Sequence, residues 1–514
     1  MRILGISCMF HDASVCVVDE GKIMFAGHSE RYSRKKNDPF LHKELMAEAL
    51  TFGMPDVIVM HEDSKLKSKR RLKQLRMDAV KAVFTEPTAE QWLKRFYPQL
   101  DGIPVQHTLH HQSHAAAGVL TSDFDECAIM TIDAIGEVQT ATIYRYEERG
   151  GKFELVHETN FPSSLGLFYS AVTARVGLKP MEDEYVLMGM AAYGNPIFAK
   201  QMRKQLFKHE KITKENRGEC LHTIDMSRGL PDDFLINNLN IPGNEQIKYD
   251  LAASAQLVCE ERIMEYAELA YKYTHSKNLV FMGGCALNCV ANSKLFDIFD
   301  DVHIMPNPGD AGSSLGAAAF LHFADTLKKV EWKTPYLGTV IEGKWPVRKF
   351  VESLNNGEIF GVANGRAEFG PRALGNRSLF ADPRGEEIKD RVNEIKRRQK
   401  FRPFAPIILE EHVQDWFELP GGLNESPYMQ FVAKCKRPDE IPAVVHGDGT
   451  SRVQTVNRKQ HPELYEALSE WHKVSGCPIV LNTSLNVKGQ PIVNTKEDAT
   501  AFTNHYNIRV HTSD

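Results

Sequence analysis

No run of eighteen apolar residues occurs in this chain of 514 residues, so no segment is expected to span a membrane. The opening MRILGISCMF has neither the apolar region nor the small-residue cleavage site of a secretory signal. Cysteine is sparse and unpatterned: Cys8, Cys16, Cys127, Cys220, Cys259, Cys285, Cys289, Cys435 and Cys477, an odd count with no CxxC spacing. That excludes a zinc ribbon or a disulfide framework and predicts reduced thiols in a cytoplasmic protein. Neither sign of charge dominates: 62 Lys and Arg face 67 Asp and Glu, for a net charge of −5. The molecule as a whole is therefore not expected to bind nucleic acid. What remains is the composition of a globular protein, 42% hydrophobic and 25% charged, in a chain long enough for two or more domains.

The N-terminal pattern reads as strands. Apolar runs at Ile3–Ser7, Ser14–Val18 and Lys22–Ala26 are joined in part by Asp19-Glu20-Gly21, a hairpin turn. The order recurs near residue 130. There a strand ends at Asp133, a Gly-Glu turn follows, a β-branched strand covers Thr140–Tyr144, and ERGG leads to a third strand. Two copies of strand, acidic turn and hairpin predict an internal duplication, the plan of actin-like and sugar-kinase-like ATPases. Residues 247–278 carry apolar residues at helical spacing and predict a long helix that stops at an Asn. A boundary is expected within Glu331–Val347, where Pro and Trp interrupt the pattern.

The segment LHHQSHAAAG places His110 and His114 four residues apart, on one face of a helix. Such a pair suits two ligands of one metal, and alone it is more often a surface or satisfied core pair. His107 and His111 fall off that face and are read as structural. Acidic partners are offered by Asp133, at a strand end, and by Asp310, in PNPGDAGSSLGAAAF. Two His and two Asp suit Fe(II), Mn(II) or Zn. The turns MGGCALNC and NPGDAGSSLG would each present backbone N–H groups to a phosphate or ribose, or require glycine for backbone reasons alone. Cys285 and Cys289 are expected to pack as small apolar groups.

The C-terminal third is rich in arginine beside Gly and Pro. Arg366 stands just before EFGPRALGNRSLFADPRG; Arg372, Arg377, Arg384, Lys396 and Arg402 fall in that stretch and in KRRQKFRPFAP, and Arg452, Asn482, Ser484 and Asn486 follow. Guanidinium groups in such loops point to a convergent anion pocket; a set of salt-bridged structural arginines is the alternative.

A dozen ordered motifs now combine, among them GISCMFHDASVCVVDEGKI, HHQSHAAAG, IDAIGE, EYVLMGMAAYGNP, FMGGCALNCVANSKL, PGDAGSSLGAAA, FGPRALGNRSLFADPRG, FRPFAP, DGTSRVQTV and NTSLNVKGQPIV. Together they cover almost the whole chain, which resembles the NodU/CmcH/TobZ family of O-carbamoyltransferases. The resemblance implies an α/β chain with a duplicated actin-like (ASKHA, TsaD-type) domain over residues 1–335 that carries the metal. A YrdC-like α/β domain over residues 340–514 would form carbamoyl adenylate from carbamoyl phosphate and ATP. The carbamoyl group would then pass to a hydroxyl on a small molecule or sugar.

By motif, His110, His114, Asp133 and Asp310 are the implied metal ligands, with Fe(II) first and Mn, Zn or Mg as alternatives. Lys396 and Ser484 are implied catalytic groups, and Arg372, Arg402, Arg452 and Asn486 implied contacts of carbamoyl phosphate and the adenylate. Gly283, Gly284 and Asn288 are nucleotide candidates. His11 and Asp12, in FHDAS, face the same cleft, with His11 as a base for the acceptor. The chain departs from the family pattern at Val186, at Leu485 and in RRQK before FRPFAP.

The run KLKSKRRLKQLR, from Lys65 to Arg76, is basic at seven of twelve positions. It reads as a solvated helix face or as a contact for phosphates. The second option makes a hydroxymethylated nucleobase, in a nucleotide or in DNA, the runner-up acceptor. A homodimer is compatible with this sequence. A nucleotide-binding regulator and a tRNA threonylcarbamoyltransferase are the competing classes.

Overall fold

The computed structural model describes residues 1–73, 87–209 and 245–513, together with residues 211–213, 215, 216, 226, 229, 230 and 234. Gln74, Leu75 and Arg76 of the basic run lie outside the described residues, as do Cys220 and Asp514.

The chain is a mixed α/β protein. Strands β1 (Arg2–Ser7), β2 (Ser14–Asp19) and β3 (Lys22–His28) form the expected meander. Glu20 and Gly21 close its second turn with positive φ, 48° and 80°, as a tight hairpin requires. Strands β4 (Val57–Met60) and β5 (Val105–His107) add in parallel on the other side of β1, giving the order β3-β2-β1-β4-β5. A second sheet is built from β6 (Glu126–Ile132), β7 (Gln139–Glu147), β8 (Lys152–Asn160), β9 (Asn278–Met282) and β10 (Asp301–His303). Its order, β8-β7-β6-β9-β10, and its pattern of antiparallel and parallel neighbours repeat those of the first sheet. The long helix that leads into β9 spans Glu245–Thr274 and ends before the Asn predicted to stop it. His275 turns the chain at φ 57°, and Asn278 instead opens β9.

Two helices, His110–Val119 and Ser313–Thr326, lie between these sheets. Both helices are buried over most of their length and carry runs of small residues, Ala115–Gly118 and Gly316–Ala319. A Cβ on Gly316 would overlap the carbonyl oxygen of Ser113, and one on Gly5 that of Ser314. Small residues are therefore what lets two helices fit between two sheets.

Further strands are β11 (Tyr336–Ile341), β12 (Phe360–Ala363), β13 (Gly365–Glu368), β14 (Arg377–Ala381), β15 (Ala405–Leu409), β16 (Phe417–Glu418), β17 (Ala433–Cys435), β18 (Thr450–Ser451), β19 (Gln454–Val456), β20 (Ile479–Ser484) and β21 (Val510–His511). Six of them form a mixed sheet in the order β19-β15-β20-β14-β12-β21. Trp345, Phe350, Phe380 and Trp471 fill one of its cores. Arg366 donates to the carbonyl of Met24 (2.7 Å) and Arg31 to that of Gly370 (3.1 Å), joining this region to the first sheet.

Candidate metal centre and anion basin

The parallel strands β1, β4, β5, β6 and β9 direct their carboxyl ends to one place, where loops carry side chains into a cleft, as in open α/β sheets generally. His11 and Asp12 follow β1, His61 and Glu62 follow β4, and His110 follows β5. Asp133 follows β6, and Gly283 and Gly284 follow β9. Asp310 opens the turn into the helix Ser313–Thr326.

Four buried side chains meet there. The Nε2 atoms of His110 and His114 are 3.1 Å apart. Asp133 Oδ2 lies 3.1 Å from the first and 3.5 Å from the second. Asp310 Oδ1 lies 3.4 Å and 3.2 Å from the same two atoms. A tetrahedral ion with ligands at about 2.1 Å has ligand–ligand edges of about 3.4 Å. The separations and the N₂O₂ donor set thus fit a divalent cation without rearrangement. Around this set, the Gly284 N–H donates to Asp133 Oδ1 (3.1 Å) and Ser313 Oγ lies 3.3 Å from His114 Nδ1. Such outer contacts orient ligands.

The electrostatics are those of a tightly compensated cluster. Burial alone would raise both Asp133 and Asp310, but the adjoining imidazoles hold each well below the usual carboxylate range. Burial opposes charge on His11, but Asp310 and Asp12 outweigh it and raise that ring to about 9. His11 sits at the rim, its Nδ1 3.0 Å from Asp12 Oδ2 and its Nε2 3.4 Å from Asp310 Oδ2.

The other histidines separate as expected. His111 faces Thr142 Oγ1 (3.2 Å), and burial drives it down to about 3. His107 pairs with Glu90 (2.7 Å). Of the two uses expected for the first glycine turn, backbone demands are visible. Gly283 has φ 89° and a Cβ there would overlap the Ile132 carbonyl, while the Gly284 N–H is engaged by Asp133. Asn288 caps the helix Cys289–Lys294 and exchanges two 3.0 Å hydrogen bonds with Gln256. Cys285 is half-buried, and Cys289 is buried 4.0 Å from Met188 Sδ.

A second cluster lies at the carboxyl end of β20, an interior strand of the six-stranded sheet. Lys396 Nζ donates to Ser484 Oγ (3.0 Å) and to Asn486 Oδ1 (2.7 Å). Arg402 lies 4.7 Å over the Tyr185 ring and Arg398 4.3 Å over Phe404. Burial pulls Arg372 down to about 9, helped by Arg452, and burial with Arg398 and Arg402 pulls Lys396 well below its usual value. Arg452 Nε is buried without a hydrogen-bond partner. Among the described residues, none of Arg372, Lys396, Arg398, Arg402 and Arg452 pairs with a carboxylate. Cations gathered without an acid are an arrangement that can take an anion.

Three of the expected arginines are not in it. Arg377 is fully buried and donates to the carbonyls of Thr339, Asn364, Gly365, Asn376 and Asn494. Arg384 pairs with Asp382 (2.7 Å), and Arg366 bonds the carbonyls of Met24 and Leu337. Sequence reading missed Arg398 and Tyr185. It also missed Glu137, whose two oxygens accept from the His110 N–H at 3.0 and 3.1 Å. Glu137 lies inside IDAIGE, a signal that was available. The basin and the metal set are neighbours: one turn, 283–289, touches Asp133 through Gly284 and holds Cys289 beside Arg452.

Comparison with known proteins decides the family. The carbamoyltransferase N-terminus model matches residues 2–319, and the carbamoyltransferase C-terminus model matches residues 351–512. The chain belongs to the carbamoyltransferase family. This carbamoyltransferase is 31% identical to an uncharacterized protein of Synechocystis, over 97% of this chain and 93% of that one. It is 33% identical to nodulation protein NolO of Bradyrhizobium diazoefficiens, over 76% and 75%. To the 3'-hydroxymethylcephem-O-carbamoyltransferase of Amycolatopsis lactamdurans it is 27% identical, over 96% and 94%. It is an enzyme of this class. Among the described residues, no helix is long and apolar enough to cross a membrane.

Proposed function

We propose that this enzyme uses carbamoyl phosphate and ATP to carbamoylate a hydroxyl on a small molecule or sugar. Residues 1–335 would be the duplicated actin-like transfer domain, a reading supported by the repeated sheet order. Residues 340–514 would be the YrdC-like domain that makes the mixed anhydride. The observation that carries the proposal is the juxtaposition of an acid-free cation basin with a buried two-His, two-Asp set in one carbamoyltransferase chain.

In the basin, Arg372, Arg402 and Arg452 hold phosphate oxygens, and Lys396 with Ser484 and Asn486 orients the carbamoyl end. Carbamoyl phosphate loses inorganic phosphate to water, and the resulting carbamate oxygen attacks the α-phosphorus of ATP, releasing pyrophosphate. The acceptor oxygen then bonds to the carbamoyl carbon as the bond to AMP breaks, and AMP leaves as a stable anion. His110, His114, Asp133 and Asp310 would hold the divalent cation, Fe(II) by preference, which supplies Lewis-acid polarisation at this centre. His11, at the rim, takes up the acceptor proton in its neutral form, which requires that Asp310, the foremost group raising it, be engaged by the cation. Asp12 then stabilises the charge that His11 gains.

In the basic run, Lys67 and Arg70 turn towards the protein, leaving Lys65 and Lys69 exposed. A sugar or small-molecule hydroxyl is therefore preferred to a nucleobase. The test is an acceptor screen with carbamoyl phosphate and ATP over sugars, nucleosides and DNA, read by mass gain and pyrophosphate release. Pyrophosphate release that requires carbamoyl phosphate supports the reading. Its absence sinks it, and threonylcarbamoyl-adenosine as product would replace it.

A further inference from the structure

The helix Ser64–Lys73 is basic along its length, yet two of its cations point at the wall of the metal centre. Lys67 is buried, with its ammonium 2.5 Å from Glu62 Oε1. Arg70 donates to the carbonyl of Gly136, three residues beyond Asp133.

Glu62 has a second oxygen. Its Oε2 lies 4.0 Å from His110 Nδ1, a buried nitrogen with no hydrogen-bond partner. The other nitrogen of that ring, Nε2, faces Asp133, Asp310 and His114. A histidine that binds a cation through Nε2 carries its proton on Nδ1, and a buried N–H of this kind needs an acceptor. A shift of about 1 Å brings Glu62 Oε2 to hydrogen-bond distance.

The approach is built into the backbone. Glu137 accepts from the Asp63 N–H (2.9 Å) and from the His110 N–H. One carboxylate therefore ties the turn bearing Glu62 to the first residue of the ligand helix. His61, buried in the same turn, lies 5.4 Å from the His110 ring at a tilt of 57°.

We propose that Glu62 is a positioning residue for His110: it accepts the Nδ1–H and so fixes the tautomer that leaves Nε2 free for a divalent cation, with Lys67 holding Glu62 in place. This rests on the metal reading above. The same atoms admit a rival use, a second cation between His61, Glu62 and His110. Lys67 opposes it, because its ammonium already neutralises Glu62.

The full chain, freed of metal with a chelator, is titrated with Co²⁺ alone. Affinity and the visible absorption of bound Co²⁺ are read beside the melting temperature of the metal-free protein. Wild type should bind Co²⁺ with a spectrum that Asp310→Ala abolishes. Glu62→Ala should weaken Co²⁺ binding by about 10–100-fold and alter the bands. Glu62→Gln, which keeps the volume and an accepting oxygen, should lose less; it decides the matter if the alanine variant does not fold. Wild-type affinity and bands in Glu62→Gln and Glu62→Ala, whatever the melting temperature, overturn the proposal. Two Co²⁺ equivalents in wild type, with the second lost in Glu62→Gln, overturn it in favour of the rival site. No Co²⁺ binding by wild type overturns the metal reading and this inference together.

Discussion

His114 Nε2 lies 3.2 Å from Asp310 Oδ1 across 196 positions of chain. The contact exists because the two helices that begin near these residues run side by side between two sheets. Their small buried residues permit that approach.

Removal of one member of the ligand set should separate the two half-reactions. Asp310→Ala and His114→Ala should lower carbamoyl transfer by roughly a thousand-fold, the scale of losing a preorganised electrostatic group. Pyrophosphate release driven by carbamoyl phosphate should persist in both, because the neighbouring basin is built from other residues. Parallel assays of pyrophosphate and carbamoylated product check this; equal loss of both activities contradicts it.

The basin should bind phosphate and gain stability from it. With phosphate at 100 times its Kd, binding adds about 2.7 kcal/mol, visible as a rise in melting temperature. Arg402→Gln should remove most of that rise. The same substitution should raise the melting temperature of the ligand-free protein, since it removes one of five cations that no carboxylate compensates. A lower ligand-free melting temperature in Arg402→Gln would mean that the cluster is structural.

Lys396 gives a pH signature. Burial, followed by Arg398 and Arg402, lowers it in the folded chain, whereas the unfolded side chain titrates near ~10.4. Between the lowered value and ~10.4 the unfolded state binds more protons, so stability rises with pH through that window. Below the window both states are protonated and the destabilising effect is fully present. Lys396→Met should flatten the rise. The check is the difference in melting temperature between wild type and variant from neutral to alkaline pH, and a constant difference contradicts the assignment.

Packing between the central helices should couple stability to the metal set. In Gly316→Ala the new methyl meets the Ser113 carbonyl, one residue before His114. Overpacking of this kind costs about 1–3 kcal/mol. Chemical denaturation should show that loss together with weaker Co²⁺ binding. An unchanged midpoint would show that the two helices separate freely.

Much of this molecule was legible in its amino acids. Alternating apolar runs and the Asp19-Glu20-Gly21 turn specify the first meander through local sterics alone. Periodicity put His110 and His114 on one helical face and His111 off it. The motifs pointed to Asp133 and Asp310. Local pattern could not assign individual arginines. Arg377 and Arg402 sit in similar Gly- and Pro-rich stretches, yet one saturates five backbone carbonyls and the other lies over Tyr185 beside further cations. Which carbonyls and rings surround a guanidinium is set by strands that meet from distant parts of the chain. The basic run shows the same limit: helical spacing turns Lys67 and Arg70 inwards, but only the folded chain supplies the Glu62 that meets Lys67 and the Gly136 carbonyl that meets Arg70. Short-range sterics and hydrophobic period are properties of consecutive residues and can be read from them. Desolvation and the pairing of buried charges depend on neighbours that only the folded chain brings together.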